Sequence, residues 1–180
     1  MSEPFFTIGH STRALDEFLE LLRDSGVELI VDVRKLPGST RYPQFDQDAL
    51  ASSLEAAGIG YRRADGLTGR RPVSRDVPFA INGWWENRSF HNYADFTLSD
   101  EFAEGLAQLR SLDAEVPAML CSEAVWWRCH RRLIADDFVA RGWTVIHLMA
   151  PGRQEQHALN ADAVMLNDVL RYPGAQAGLF

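Results

Sequence analysis

Lysine is almost missing from this chain: Lys35 is the single one among 18 basic residues, and arginine supplies the rest. Biased codon usage accounts for that total, but wherever arginines cluster their planar forks suit bidentate binding of phosphate or carboxylate. Long apolar runs are missing too, and nothing approaches the roughly 20 residues that a membrane span requires. The opening Met1-Ser2-Glu3-Pro4 carries no basic region of the kind that begins an export signal, so the expected location is the cytoplasm. Cysteine is scarce, at two residues, and in a reducing compartment Cys121 and Cys129 are expected as thiols for thiolate or metal chemistry before a structural disulfide. Nor is there an excess of positive charge: a net charge of -7 excludes a general coater of DNA and confines any nucleic-acid contact to a local patch.

What is present points to one domain. A chain of 180 residues with 46% hydrophobic content can build a sizeable core. The expected fold class is α/β: a single three-layer domain spanning residues 1–180, with a mainly parallel sheet and helices on both faces. Phe5 to Ile8 reads as a strand, followed by a helix that buries Leu15, Phe18, Leu19 and Leu22, with Ser11 or Thr12 as its cap and Gly26 as its stop. Glu28 to Val33 then reads as a strand covered on both sides, and the strand-helix-strand unit implies a parallel pair. A proline and glycine loop leads to a helix capped by Asp46 and ended by Gly58, then to a short strand from Ile59 to Arg62.

From about residue 64 to 98 no clean periodicity is visible, although Trp84, Trp85, Phe90, Tyr93 and Phe96 lie there together with Arg70, Arg71, Arg75 and Arg88. Such a segment reads as an ordered lid. A helix burying Phe102, Leu106 and Leu109 follows, then a strand from Val116 to Leu120 that delivers Cys121. A helix starting near Arg128 or Cys129 buries Leu133, Ile134 and Phe138, and a strand from Trp143 to Leu148 comes next. A last helix is expected from Leu159 to Leu170.

Ligands of open parallel sheets bind beyond the carboxyl ends of the strands, where Cys121 to Arg132 lies. A thiol at a helix start beside arginine is held toward the thiolate, which describes Cys129 better than Cys121. His130 is a candidate base or proton relay, and Glu123 a candidate to orient it. The alternative is that both cysteines are small buried hydrophobes. Arg131 and Arg34 are expected to hold an anion, together with Arg41, Ser39 and the Arg70-Arg71 pair. His10, Ser11 and Asp32 lie at strand ends that should converge on the same edge, with the structural alternatives of a core histidine, a helix cap and a partner for Arg34. For zinc, Cys121, Cys129 and His130 offer ligands whose directions diverge, so no metal site is expected. Trp126-Trp127 and Trp84-Trp85 can stack a flat ring, although core packing explains at least one of each pair.

Taken together, Thr7-Ile8-Gly9-His10-Ser11, Asp32-Val33-Arg34 with Pro37 and Ser39, Pro43 and Phe45, Tyr93-Ala94, and Cys121-x-Glu123 followed by Cys129-His130-Arg131 resemble the family catalogued as domain of unknown function 488. The resemblance implies that these polar residues share one site, and it names no reaction. Trp126-Trp127 and the segment from Arg70 to Arg88 depart from the pattern.

The leading expectation is an enzyme acting on a small anionic or nucleotide-like substrate by hydrolysis or group transfer. Its chemistry would lie with His10, Asp32, Glu123, Cys129 and His130, and its binding with Ser11, Arg34, Ser39, Arg41, Arg70, Tyr93, Cys121 and Arg131. Redox work is disfavoured by the lack of a dinucleotide glycine signature and of a Cys-x-x-Cys pair. The alternatives are a nucleic-acid processing protein that receives a displaced base, and a metal or thiol sensor. No cofactor and no oligomeric state can be read from the residues.

Overall fold

Phe5 to Ile8 form the strand their composition demands, β1 (Phe5–Gly9), in a computed structural model that describes residues 3–112 and 116–174. Helix α1 (Leu15–Asp24) follows and buries Phe18, Leu21 and Leu22. Its cap is neither Ser11 nor Thr12 but Ala14, which makes no side-chain cap bond. Ser11 is held instead in a left-handed turn (φ +46°), with its amide donating to Ser122 O. Strand β2 (Leu29–Asp32) is wholly buried. Helix α2 (Gln47–Ala56) begins after Asp46 as expected, but the Asp46 carboxylate accepts from the Ser39 amide rather than from the helix. Strand β3 (Gly60–Arg63) comes next.

The aromatic segment is more regular than its sequence suggests. It contains helix α3 (Arg88–Phe96), capped by the Asn87 side chain, and its Trp85, Tyr93 and Ala94 belong to the core. Helix α4 (Asp100–Arg110), strand β4 (Pro117–Cys121) and helix α5 (Arg131–Ala140) match expectation, apart from a 3₁₀ turn at Trp126–Arg128 that delays the start of α5. Strands β5 (Val145–Ala150) and β6 (Arg153–Gln156) complete a six-stranded sheet of order β3-β2-β4-β1-β5-β6. All neighbours in it are parallel except β5 and β6, so the sheet is mixed. The expected direct pairing of the first two strands is not found, because β4 lies between β1 and β2.

The expected helix from Leu159 to Leu170 is also absent. In its place β7 (Val164–Leu166) and β8 (Val169–Arg171) form a hairpin. The turn residues Asn167 and Asp168 both have positive φ (+52° and +65°), the pair of values that a two-residue hairpin turn requires and that Asn and Asp tolerate. Strand alternation sorts the core into two layers. Phe5, Val31 and Met119 face α3, α4 and α5, while Phe6, Ile30, Ala118 and Leu120 face α1 and α2. The α/β class with helices on both faces of the sheet therefore holds.

Candidate functional site

The last residues of β1 and β4, Gly9 and Cys121, are register partners at the centre of the sheet. From β1 the chain passes through α1 on one face toward β2, and from β4 through α5 on the other face toward β5. Strand order therefore reverses at the β1/β4 boundary, where the departing connections leave a crevice at the carboxyl edge. The loop after β4 crosses directly over Gly9. A Cβ there would lie 1.6 Å from Glu123 O and 2.8 Å from an Arg131 guanidinium nitrogen, so only glycine fits.

A cavity of about 320 Å³ adjoins this edge. Four cationic residues line it: Arg34, Lys35, Arg70 and Arg128. Cys121, Cys129, Glu123, His130 and Tyr93 share the lining, with Phe90 and the backbone of Gly69 as further wall. Glu123 is the one acidic residue among the lining groups, so positive charge dominates. Of the residues singled out from sequence, seven meet here: Arg34, Arg70, Tyr93, Cys121, Glu123, Cys129 and His130.

Asp32 lies behind the cavity rather than in it. Its buried carboxylate receives the Arg34 amide at 3.0 Å, the Arg34 side chain at 2.8–3.2 Å and the Tyr61 hydroxyl at 2.5 Å. Burial and the bond to Asp32 push the Tyr61 phenol well above its ordinary range. The other end of Arg34 donates to Phe45 O at 2.7 Å. Asp32 thus fixes the arginine at the cavity wall, and the partner reading of the pair describes it. His10 is likewise set back: its Nδ1 is 3.0 Å from Ser11 O, its ring stacks on Phe45 at 4.6 Å, and burial holds its pKa below the usual histidine value.

Arg131 is fully buried and does not line the cavity. It donates to Glu123 O (3.0 Å), Ala124 O (3.3 Å) and the Cys121 sulfur (3.3 Å). Burial, with the Arg13 charge nearby, pulls its pKa down to about 9, against the opposing pull of Glu123. The guanidinium expected to grip an anion directly instead braces the loop beneath the cavity and supplies its charge through Cys121.

Ser39 and Arg41 stay in the loop between β2 and α2, away from the cavity. The Ser39 hydroxyl accepts from the Tyr42 amide at 3.0 Å, and Arg41 lies over the Tyr42 ring.

Cys121 and Cys129, expected as separate thiols, are joined as a disulfide. The Arg131 amide, which opens α5, donates to the Cys129 sulfur at 3.5 Å, and His130 Nδ1 lies 3.7 Å from it. His130 packs between Tyr93, at 4.9 Å, and Gly69, where a Cβ would come within 2.8 Å of the ring. Burial first, and then the Arg131 charge, lower its pKa to about 4, so the ring is neutral at pH 7. Tyr93 donates to Leu67 O at 2.7 Å, and burial raises its pKa far above the usual range. Among the described residues no group of three or more His, Cys, Asp or Glu side chains is placed to hold a metal ion.

Sequence reasoning missed Lys35, Ser89 and Phe90 as cavity residues. The signal for Lys35 was its uniqueness in a chain that otherwise uses arginine. Ser89 and Phe90 gave none, because they reach the cavity from the first turn of an unrecognised helix.

The sequence profile of the family described as "Domain of unknown function DUF488" matches residues 14–138. The chain belongs to this family. The match takes in both cysteines, Glu123, His130 and every cationic residue of the cavity, while His10 and Ser11 lie before it and strands β5 to β8 after it. No curated protein and no solved structure matches the chain. No helix among the described residues is long and apolar enough to cross a membrane.

Proposed function

We propose that this DUF488 protein is an enzyme acting on a small anionic substrate by group transfer at a cavity thiol. The observation that carries the reading is the shared lining: Arg34, Lys35, Arg70 and Arg128 surround the same space as Cys121 and Cys129. Guanidinium groups in a recess bind oxyanions more strongly than they do on open surface, because the competing water is reduced. The thiol best suited to attack is Cys129 in its reduced form, since an amide at a helix start and the Arg131 charge below both favour its thiolate. His130, neutral at pH 7, can accept a hydrogen bond at the sulfur but is neither a cationic partner for it nor basic enough to take its proton.

The nucleic-acid alternative draws less support. Trp85 is buried, and Trp126 stacks on His147 at 4.8 Å while donating to Glu155, which leaves Trp127 as the exposed member of the two pairs.

The test uses the exposed cations, which can be removed without disturbing the core. Sulfate, phosphate and nucleoside monophosphates are added to the protein and to its Arg70→Ala and Arg128→Ala variants, and the thermal midpoint is followed. A ligand present at 100 times its Kd stabilises by about 2.7 kcal/mol, so a clear rise is expected for the parent and a smaller one for each variant. Identical behaviour of parent and variants would remove the cavity as an anion site.

A further inference from the structure

A thiol that works by hydrolysis alone has no use for a second sulfur within reach. Here seven residues separate Cys121 from Cys129 in sequence, yet the fold joins their sulfurs on one cavity wall. Each sulfur also has its own donor: the buried Arg131 guanidinium for Cys121, and the Arg131 backbone amide for Cys129. The stabilisation that two thiolates need is thus supplied from below the cavity. Arg70, Arg128, Lys35 and Arg34 are additional to it, and they face the same space.

A neutral oxidant such as hydrogen peroxide needs the thiolates but not the four further cations. An anion with sulfonate oxygens needs both. From this geometry we infer that the cavity carries out two-thiol reduction of a small thiosulfonate anion, of which thiosulfate is the simplest. The inference rests on the anion reading above and names the substrate class for it.

The Cys129 thiolate bonds to the terminal sulfur of thiosulfate, and the sulfur–sulfur bond of thiosulfate breaks, with its electron pair leaving on sulfite beside the cavity cations. Cys129 then carries a persulfide. The Cys121 thiolate attacks the Cys129 sulfur and expels the outer sulfur as hydrosulfide, which closes the Cys121–Cys129 bond found in the structure. Two thiols are oxidised by two electrons, the terminal sulfur of thiosulfate is reduced to sulfide, and the two thiol protons end on hydrogen sulfite and hydrosulfide. A small dithiol restores both cysteines by exchange.

The experiment starts from protein reduced with a dithiol and desalted without air. Thiosulfate is added, and free thiols, sulfite, sulfide and intact mass are followed. The expected result is loss of both thiols with one sulfite and one sulfide per chain, faster on the order of tenfold than in the reduced chain unfolded by urea, because the helix-start amide and the Arg131 guanidinium favour the thiolates only in the folded chain. Cys121→Ser should release sulfite without sulfide and gain the mass of one sulfur. Cys129→Ser should release neither.

Thiols that survive thiosulfate would overturn the inference, as would sulfide release by Cys121→Ser, or oxidation of the pair by hydrogen peroxide but not by thiosulfate. The Cys121→Ser/Cys129→Ser double variant, titrated with sulfate, separates the two levels. A sulfate-dependent rise in its thermal midpoint with no thiosulfate reaction in the parent leaves the anion site standing and removes the reduction. Absence of both removes both.

Discussion

The Arg131 guanidinium donates to the Cys121 sulfur at 3.3 Å while fully buried. That contact ties the first turn of α5 to the end of β4, and the same side chain holds the carbonyls of Glu123 and Ala124. Its replacement by methionine removes the donors and leaves two carbonyls without partners, each at about 1–3 kcal/mol. Arg131→Met is therefore expected to lower the urea midpoint by an amount equivalent to several kcal/mol and to slow thiol oxidation, whereas Arg131→Lys should recover part of the stability.

Asp32 and Arg34 form an ion pair that is almost completely buried. Asp32→Asn leaves the arginine without its counter-charge, a change that costs about 3–5 kcal/mol where one member of a buried pair is removed. Tyr61→Phe deletes a single hydrogen bond to the same carboxylate, and about 1.5–3 kcal/mol is expected because the acceptor is charged. Equilibrium unfolding of the two variants and their combination should show strong non-additivity, since both act on Asp32.

His130 sets an acid limb to the stability profile. Its folded pKa, about 4, lies below the ordinary value of 6.5, so between these values the unfolded chain binds a proton that the folded chain refuses. Stability from this residue is complete above pH 6.5 and is lost as pH falls toward 4, by about 3 kcal/mol in all. His10 and His147 shift in the same direction, so the residue is isolated by difference. The loss between pH 6.5 and 4 is expected to shrink in His130→Gln, as measured by urea unfolding at a series of pH values.

Two glycines near the cavity are expected to behave differently. At Gly9 an added methyl meets backbone at 1.6 Å, and Gly9→Ala should cost more than about 3 kcal/mol or prevent folding. At Gly69 the clash is with the His130 ring at 2.8 Å, so a side chain rather than backbone must give, at the expense of its packing on Tyr93. Gly69→Ala should remain folded by circular dichroism while losing sulfate-dependent stabilisation.

The layer architecture was legible because Phe5-Phe6-Thr7-Ile8 and Val116 to Leu120 are apolar runs of strand length, and because Leu15, Phe18 and Leu22 keep helical spacing. Strand order was not legible, since nothing in the composition of β4 says that it inserts between β1 and β2. The hairpin at Val164 to Arg171 was misread because Leu159, Leu166 and Leu170 mimic a helical stripe, although Asn167-Asp168 between two short apolar runs carried the opposite signal. For the candidate site, the convergence of strand ends was readable, and the depth of each residue was not. Asp32, His10 and Arg131 are polar groups at strand and helix ends, but burial places them behind the wall that they support. The Cys121–Cys129 contact was hidden because the intervening loop folds back over Gly9, a path set by tertiary packing.

The insertion of β4 between β1 and β2 bears on how the protein acquires its site. Phe6 pairs with Ala118 across more than a hundred residues, so neither β1 nor β2 can gain the neighbour that lies between them until β4 has been synthesised. Such distant pairing slows folding through the entropy of closing the intervening chain. The cavity draws its lining from both halves of the chain, so the first half of the message alone cannot encode it.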